Sequence, residues 1–231
     1  MSQKFLAVLL LVGTSAAVGY GQSNMPPQAA STGGSSGTSA SAFPKDVYPE
    51  TGNRLPPIQR DELDEAGKKI YDNSEAGEFG PRPIRLYSPQ VAADMTDVNV
   101  YLRHDSGLDN RLVELTILVA AREMDAQFEW TFHEPVARKA GVPQSTIDVI
   151  KYRKPLQGPS EEDATVIQLG REAFEKHQVS SATAARALKL FGKPGFVNIV
   201  SLMGDYAANA ILMSAFDQHL RPGDKPLLPI P

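Results

Sequence analysis

The chain has 231 residues, a formal charge of −4 at pH 7 and no cysteine, with a pI near 5.6. The missing thiols exclude disulfides, thiolate metal sites and cysteine-based catalysis. The acidic balance, with no basic run longer than two residues, offers no field for nucleic acid or anionic lipid.

Lys4, the apolar run 5–12 and the small residues that follow have the order of a secretory signal peptide over residues 1–21. Cleavage after Ala17 or after Gly21 satisfies the small-residue rule equally. An uncleaved anchor is the alternative, although the apolar run is short for a bilayer. The expected location is secreted or periplasmic, with no stable membrane anchor after cleavage. Residues 22–43 are dominated by Ser, Gly, Thr, Ala, Gln and Pro. They lack the apolar bulk to offset the entropy of ordering and read as a disordered linker. The folded domain is expected over 44–231.

Within it, residues 61–71 begin with acids and end with Lys68 and Lys69, the charge order that suits a helix dipole. Pro89 opens a segment with Val91, Met95, Val98 and Leu102 at helical spacing. Asp109 stands at an N-cap ahead of Leu112, Leu115, Ile117, Leu118 and Val119, a pattern for a largely buried helix. Residues 127–140 form the next helix, stopped by Gly141 and Pro143, and Ser145 precedes a short amphipathic turn to Ile150. Ser160 and Asp163 resemble a capping box, and Ser181 starts a helix through Leu188 and Phe191. Pro194 introduces the last helix, from Phe196 to about His219, apolar on most sides and so either central or part of an oligomer interface. No alternating strand pattern appears. The fold class is all-α, a bundle of about seven helices, a type that builds its sites between facing helices.

Glu129 and His133 lie four residues apart, on one face of a helix. A carboxylate raises the pKa of a neighbouring imidazole and burial lowers it, so such a pair can act as acid and base near neutral pH. The same spacing also describes a solvated surface pair worth a few tenths of a kcal/mol. Phe128, Trp130 and Phe132 argue for an apolar setting, and Pro135 frees the carbonyl of Thr131 beside His133. Glu114, in the middle of an apolar helix, needs a partner. Arg103 and Arg111 suit a substrate carboxylate, or pair with Asp105 and Asp109. Tyr101, Tyr206 and Asp205 are further pocket candidates. His104, His177 and His219 sit near helix ends, where a cation suits the dipole.

The run from Arg111 through Glu114 to Leu118, then Gln127-Phe-Glu129-Trp130, His133, Pro135 and Lys139-Ala-Gly141, resembles the carboxymuconolactone decarboxylase family of the alkylhydroperoxidase D-like superfamily. In the peroxidase branch of that superfamily the motif is a glutamate, a Cys-x-x-Cys pair and a histidine. Glu114 and His133 match its glutamate and histidine, while Ala126 and Glu129 stand at the cysteine positions, so a thiol relay is not available. The Glu-Trp-x-x-His form is similar to the decarboxylase-like branch.

The resemblance implies cofactor-free decarboxylation of a small carboxylated lactone or related acid, with no metal, in a homo-oligomer. It implies catalytic roles for His133 as the proton donor to carbon, Glu129 as the group that sets its charge, and Glu114 as the group that positions the pair or shares the proton. Trp130, Arg103 and Tyr101 are the expected substrate-binding residues. An exported, non-enzymatic small-acid-binding protein on the same scaffold is the competing reading, and a structural oligomer with a closed pocket is a third.

Overall fold

Asp109 accepts a hydrogen bond from the Leu112 amide at 2.9 Å and so caps the helix about which four others pack. In the computed structural model the described residues are 43–73 and 79–230, and they form eight α-helices with no strand. The expected signal peptide, and the linker up to residue 42, lie outside the described residues. The helices are α1 (Glu65–Asn73), α2 (Pro81–Arg85), α3 (Pro89–Val100), α4 (Asn110–Glu123), α5 (Gln127–Lys139), α6 (Gln144–Lys151), α7 (Glu161–Glu175) and α8 (Ser181–Ala215). The domain is an all-α bundle.

Helix α4 is the central helix. Every residue from Leu112 to Arg122 is buried, and α5, α6, α7 and α8 all pack on it. Helix α8 buries Ile199, Leu202, Met203 and Tyr206 but exposes Val197 and Ile211, at 63% and 61%. Its helical backbone is broken at Gly192 (φ 63°, ψ 178°), so two helical segments meet at a kink between Phe191 and Pro194, where the sequence places the boundary. Helix α7 lies so close to α4 that a Cβ on Gly170 would fall 2.1 Å from Val119 Cγ1, well inside contact distance.

Two features are not apparent in the sequence pattern. Helix α2 has only five residues and contains two prolines. It forms because first-turn amides have no intrahelical acceptor, so Pro81 and Pro83 forfeit little there. Gly80 supplies the required turn with φ 107°. The second feature is the π-helical turn Tyr101–Asp105 that continues α3. The wider turn shifts the phase of the residues after it, leaving Tyr101 exposed at 49% and Leu102 buried.

The segments flanking the helices are stitched to each other by one amide. Gln218 Nε2 donates to the carbonyl of Thr51 at 3.0 Å. Its Oε1 accepts from Asn53 Nδ2 at 2.9 Å and from the Gly80 amide at 3.2 Å. The His219 amide donates to the Gly52 carbonyl at 2.8 Å.

Candidate functional site

The site grows from two adjacent helices. Glu114 on α4 and His133 on α5 meet where their helices pack, and His133 Nδ1 lies 2.8 Å from Glu114 Oε2. A carboxylate only accepts, so Nδ1–H donates and the other ring nitrogen, Nε2, is left free. Nε2 is 3.6 Å from Glu129 Oε2, one turn earlier on α5. Arg103 Nη2 reaches the second oxygen of Glu114 at 3.3 Å. The wide turn after α3 carries this arginine. Glu114, Glu129 and His133 are all buried, so the solvated-pair reading of Glu129 and His133 is overturned. Tyr206 on α8 closes the other face of the imidazole edge-on, with ring centroids 5.2 Å apart.

Burial pushes the Glu129 carboxyl above the usual carboxylate range, against the pull of His133 and the nearby arginines. Its Oε1 has no hydrogen-bond partner, and neither has the buried Nε of Arg103. Burial likewise raises the Tyr206 phenol, so it stays protonated.

Glu129, His133 and Tyr206 line a cavity of about 200 Å³, together with Phe128, Phe132, Asn99, Arg82, Arg85, Arg103 and Arg221. Arg85 is buried, donates to Asn209 Oδ1 and lies 3.6 Å from Asp205 Oδ1. Burial lowers its pKa and Asp205 opposes that, yet a guanidinium stays charged. Arg82 and Arg221 have no carboxylate partner among the described residues, and Arg221 stands 5.9 Å above the Phe132 ring. The cavity therefore presents two cations with no carboxylate partner among the described residues, beside a histidine held by a carboxylate, an arrangement suited to an anionic ligand and a proton transfer. Among the described residues no three His, Asp or Glu side chains are grouped to hold a metal ion, Glu114, Glu129 and His133 included.

Residues 89–166 match the carboxymuconolactone decarboxylase family. Comparison with curated proteins and with solved structures returned no match. The segment matched to the carboxymuconolactone decarboxylase family contains Arg103, Glu114, Glu129 and His133. Arg82, Arg85, Tyr206 and Arg221 come from segments on either side of it.

Two expected substrate-binding residues are not brought to the cavity. Trp130 has no exposed surface, and its indole Nε1–H donates to Glu134 Oε2 at 2.6 Å, an oxygen that also accepts from Lys151 at 2.8 Å. One position along α5 from Glu129 is enough to turn it to another face of the helix. Tyr101 is turned outward at the start of the π-helical turn and lines no part of the cavity. Arg103 does reach the cavity, but its nearest carboxylate is Glu114 rather than Asp105. Arg111 is taken up by α7, at 2.5 Å from Asp163 Oδ1 and 3.3 Å from Glu162 Oε2.

The lining residues that periodicity did not reveal are Arg82, Arg85, Asn99, Asn209 and Arg221. The only available sign of the first two was the Gly80-Pro81 step, a helix-start signal.

Proposed function

We propose that this chain is a carboxymuconolactone decarboxylase-like enzyme that removes carbon dioxide, without a cofactor, from a small carboxylated lactone or related acid. The observation that supports the reading most is the Glu114–His133 contact at 2.8 Å beside a cavity lined by Arg82 and Arg221, which have no carboxylate partner among the described residues. In this reading the arginines hold the substrate anion. The carbon–carboxylate bond breaks, carbon dioxide leaves, and the bonding electrons pass into the conjugated carbonyl. His133, oriented by Glu114, takes a proton at Nε2 from Glu129, 3.6 Å away, and returns it to carbon. Glu129, whose carboxyl burial pushes above the usual carboxylate range, regains that proton from water.

The surrounding assignments belong to the same proposal. The chain is exported, on the strength of the apolar run 5–12 followed by small residues. It forms a homo-oligomer through apolar side chains left exposed on α8, among them Val197, Val200 and Ile211. The absence of cysteine and the Glu-Trp-x-x-His motif support a decarboxylase rather than a thiol peroxidase.

The test is a ligand-shift screen of the purified chain against small lactones and carboxylic acids, with carbon dioxide release followed for each hit in wild type and His133→Gln. Release that depends on His133 supports the enzyme. Binding of acids with no release in either protein replaces it with a small-acid-binding protein.

A further inference from the structure

The cavity at His133 has a neighbour. A cleft of about 370 Å³ opens between α1, α2 and α3, and three residues, Arg82, Arg85 and Thr96, line both spaces. On the far side of this wall the surface is apolar, formed by Ile70, Leu86, Ala92, Ala93 and Val100, with Lys69 and Asp97 also in its lining. Two of the helices that build it, α1 and α2, lie outside the segment that matches the family.

The sizes matter. Small-molecule sites enclose about 300–1,000 Å³, and the cavity at His133, at about 200 Å³, falls short of that range alone. The distribution of chemistry matters as well. The proton-transfer groups, Arg103 and Arg221 are on one side of the wall, Arg82 and Arg85 are in it, and a largely apolar surface is on the other side. Arg85 is fixed in the wall by Asn209 and Asp205, whereas the exposed Arg82 has no carboxylate partner among the described residues and lines both spaces.

Resting on the decarboxylase-like reading, we propose that the cleft is a second compartment of the same site. It receives the apolar body, a hydrocarbon chain or an aromatic ring, of an acid whose anionic end is held at Arg82 and Arg85. The substrate is thus an elongated amphiphilic acid rather than a compact one. Its reacting end faces His133 and Glu129, and its apolar end packs on Leu86, Ala93 and Val100.

The experiment is calorimetric binding of unbranched carboxylates, butanoate to decanoate, to the purified chain. Each methylene buried in an apolar compartment tightens binding about fourfold, so octanoate should bind on the order of a hundred-fold more tightly than butanoate. Ala93→Phe fills the compartment and brings that ratio close to one. Val100→Trp, introduced at the partly exposed rim, does the same if Ala93→Phe fails to fold. A flat series in wild type, or an unchanged ratio in a folded variant, overturns the compartment. The ratio reads binding and His133→Gln reads carbon dioxide release. Loss of the ratio with turnover intact removes only the compartment, and a steep ratio without turnover removes only the reaction.

Discussion

Glu114 and His133 belong to different helices, are both buried, and touch through a contact of 2.8 Å. With Arg103 on the other oxygen of Glu114, the carboxylate serves two cationic or potentially cationic groups at once. Removing it strands both. Glu114→Ala is expected to destabilise the domain by about 3–5 kcal/mol, the usual cost of deleting one member of a buried pair. Glu114→Gln, which keeps an acceptor, should cost less stability while reducing turnover about 100-fold or more. Urea denaturation and single-substrate kinetics separate the two effects. Equal stability of Glu114→Ala and wild type would show that the contact is not formed in solution.

The Glu129 carboxyl has its folded pKa raised, chiefly by burial. The folded state therefore holds this proton at pH values where the unfolded chain has released it. The stability this confers is fully present below the ordinary carboxylate pKa and is lost as pH rises through the folded value. Glu129→Gln carries no such proton. It should gain stability relative to wild type as pH increases from 4 toward neutrality, in thermal melts run across that range. A difference that does not change with pH would mean that Glu129 titrates normally.

Glu172 behaves in the opposite sense. It accepts hydrogen bonds from the Ser180 amide at 2.8 Å, Gln168 Nε2 at 2.9 Å and Thr183 Oγ1 at 3.2 Å. These hold its carboxyl down at about 2. The stability it confers is present above the ordinary carboxylate value and is lost as pH falls toward 2. Glu172→Gln should cost about 1–3 kcal/mol at pH 7, and the deficit should shrink in melts below about pH 4.

The approach of Gly170 to Val119 predicts a size-dependent penalty. Gly170→Ala adds one methyl where no space exists and should destabilise by about 1–3 kcal/mol. Val119→Ala also costs stability alone, through lost packing. The double variant should recover part of the Gly170→Ala loss, and strict additivity in a double-mutant cycle would rule out the clash.

Arg221 combines exposure with a place at the cavity mouth. Arg221→Ala should weaken binding of an anionic ligand about tenfold, as loss of a charge-assisted hydrogen bond does, and leave folding stability within about 0.5 kcal/mol. An unaltered affinity would remove Arg221 from the ligand's reach.

The sequence was most legible where a local rule acts alone. Asp109 and Ser160 cap the helices they were expected to cap, because an N-cap needs only its own side chain and an amide three residues on. Glu114 announced itself as a carboxylate inside an apolar helix, and it does have partners in His133 and Arg103. The misplaced residues are those whose direction depends on helix phase. Trp130 sits beside Glu129 in the sequence yet points toward Glu134 and Lys151, and Tyr101 is turned outward by a π-helical turn that no periodicity announces. Arg82, Arg85 and Arg221 were illegible for another reason. They belong to a five-residue helix and to a stretch beyond the last helix, where there is no hydrophobic period to read.

Gln218 joins Thr51, Asn53 and Gly80 through one side chain, across as many as 167 positions of sequence. Gly80 begins the helix that carries Arg82 and Arg85, so the arginine wall is held by a residue synthesised long after it. Both members of the Glu114–His133 pair precede Gln218 in the chain, on two helices that follow one another directly. The arginine side of the pocket thus depends on a contact distant in sequence, whereas the proton-transfer side rests on neighbouring helices.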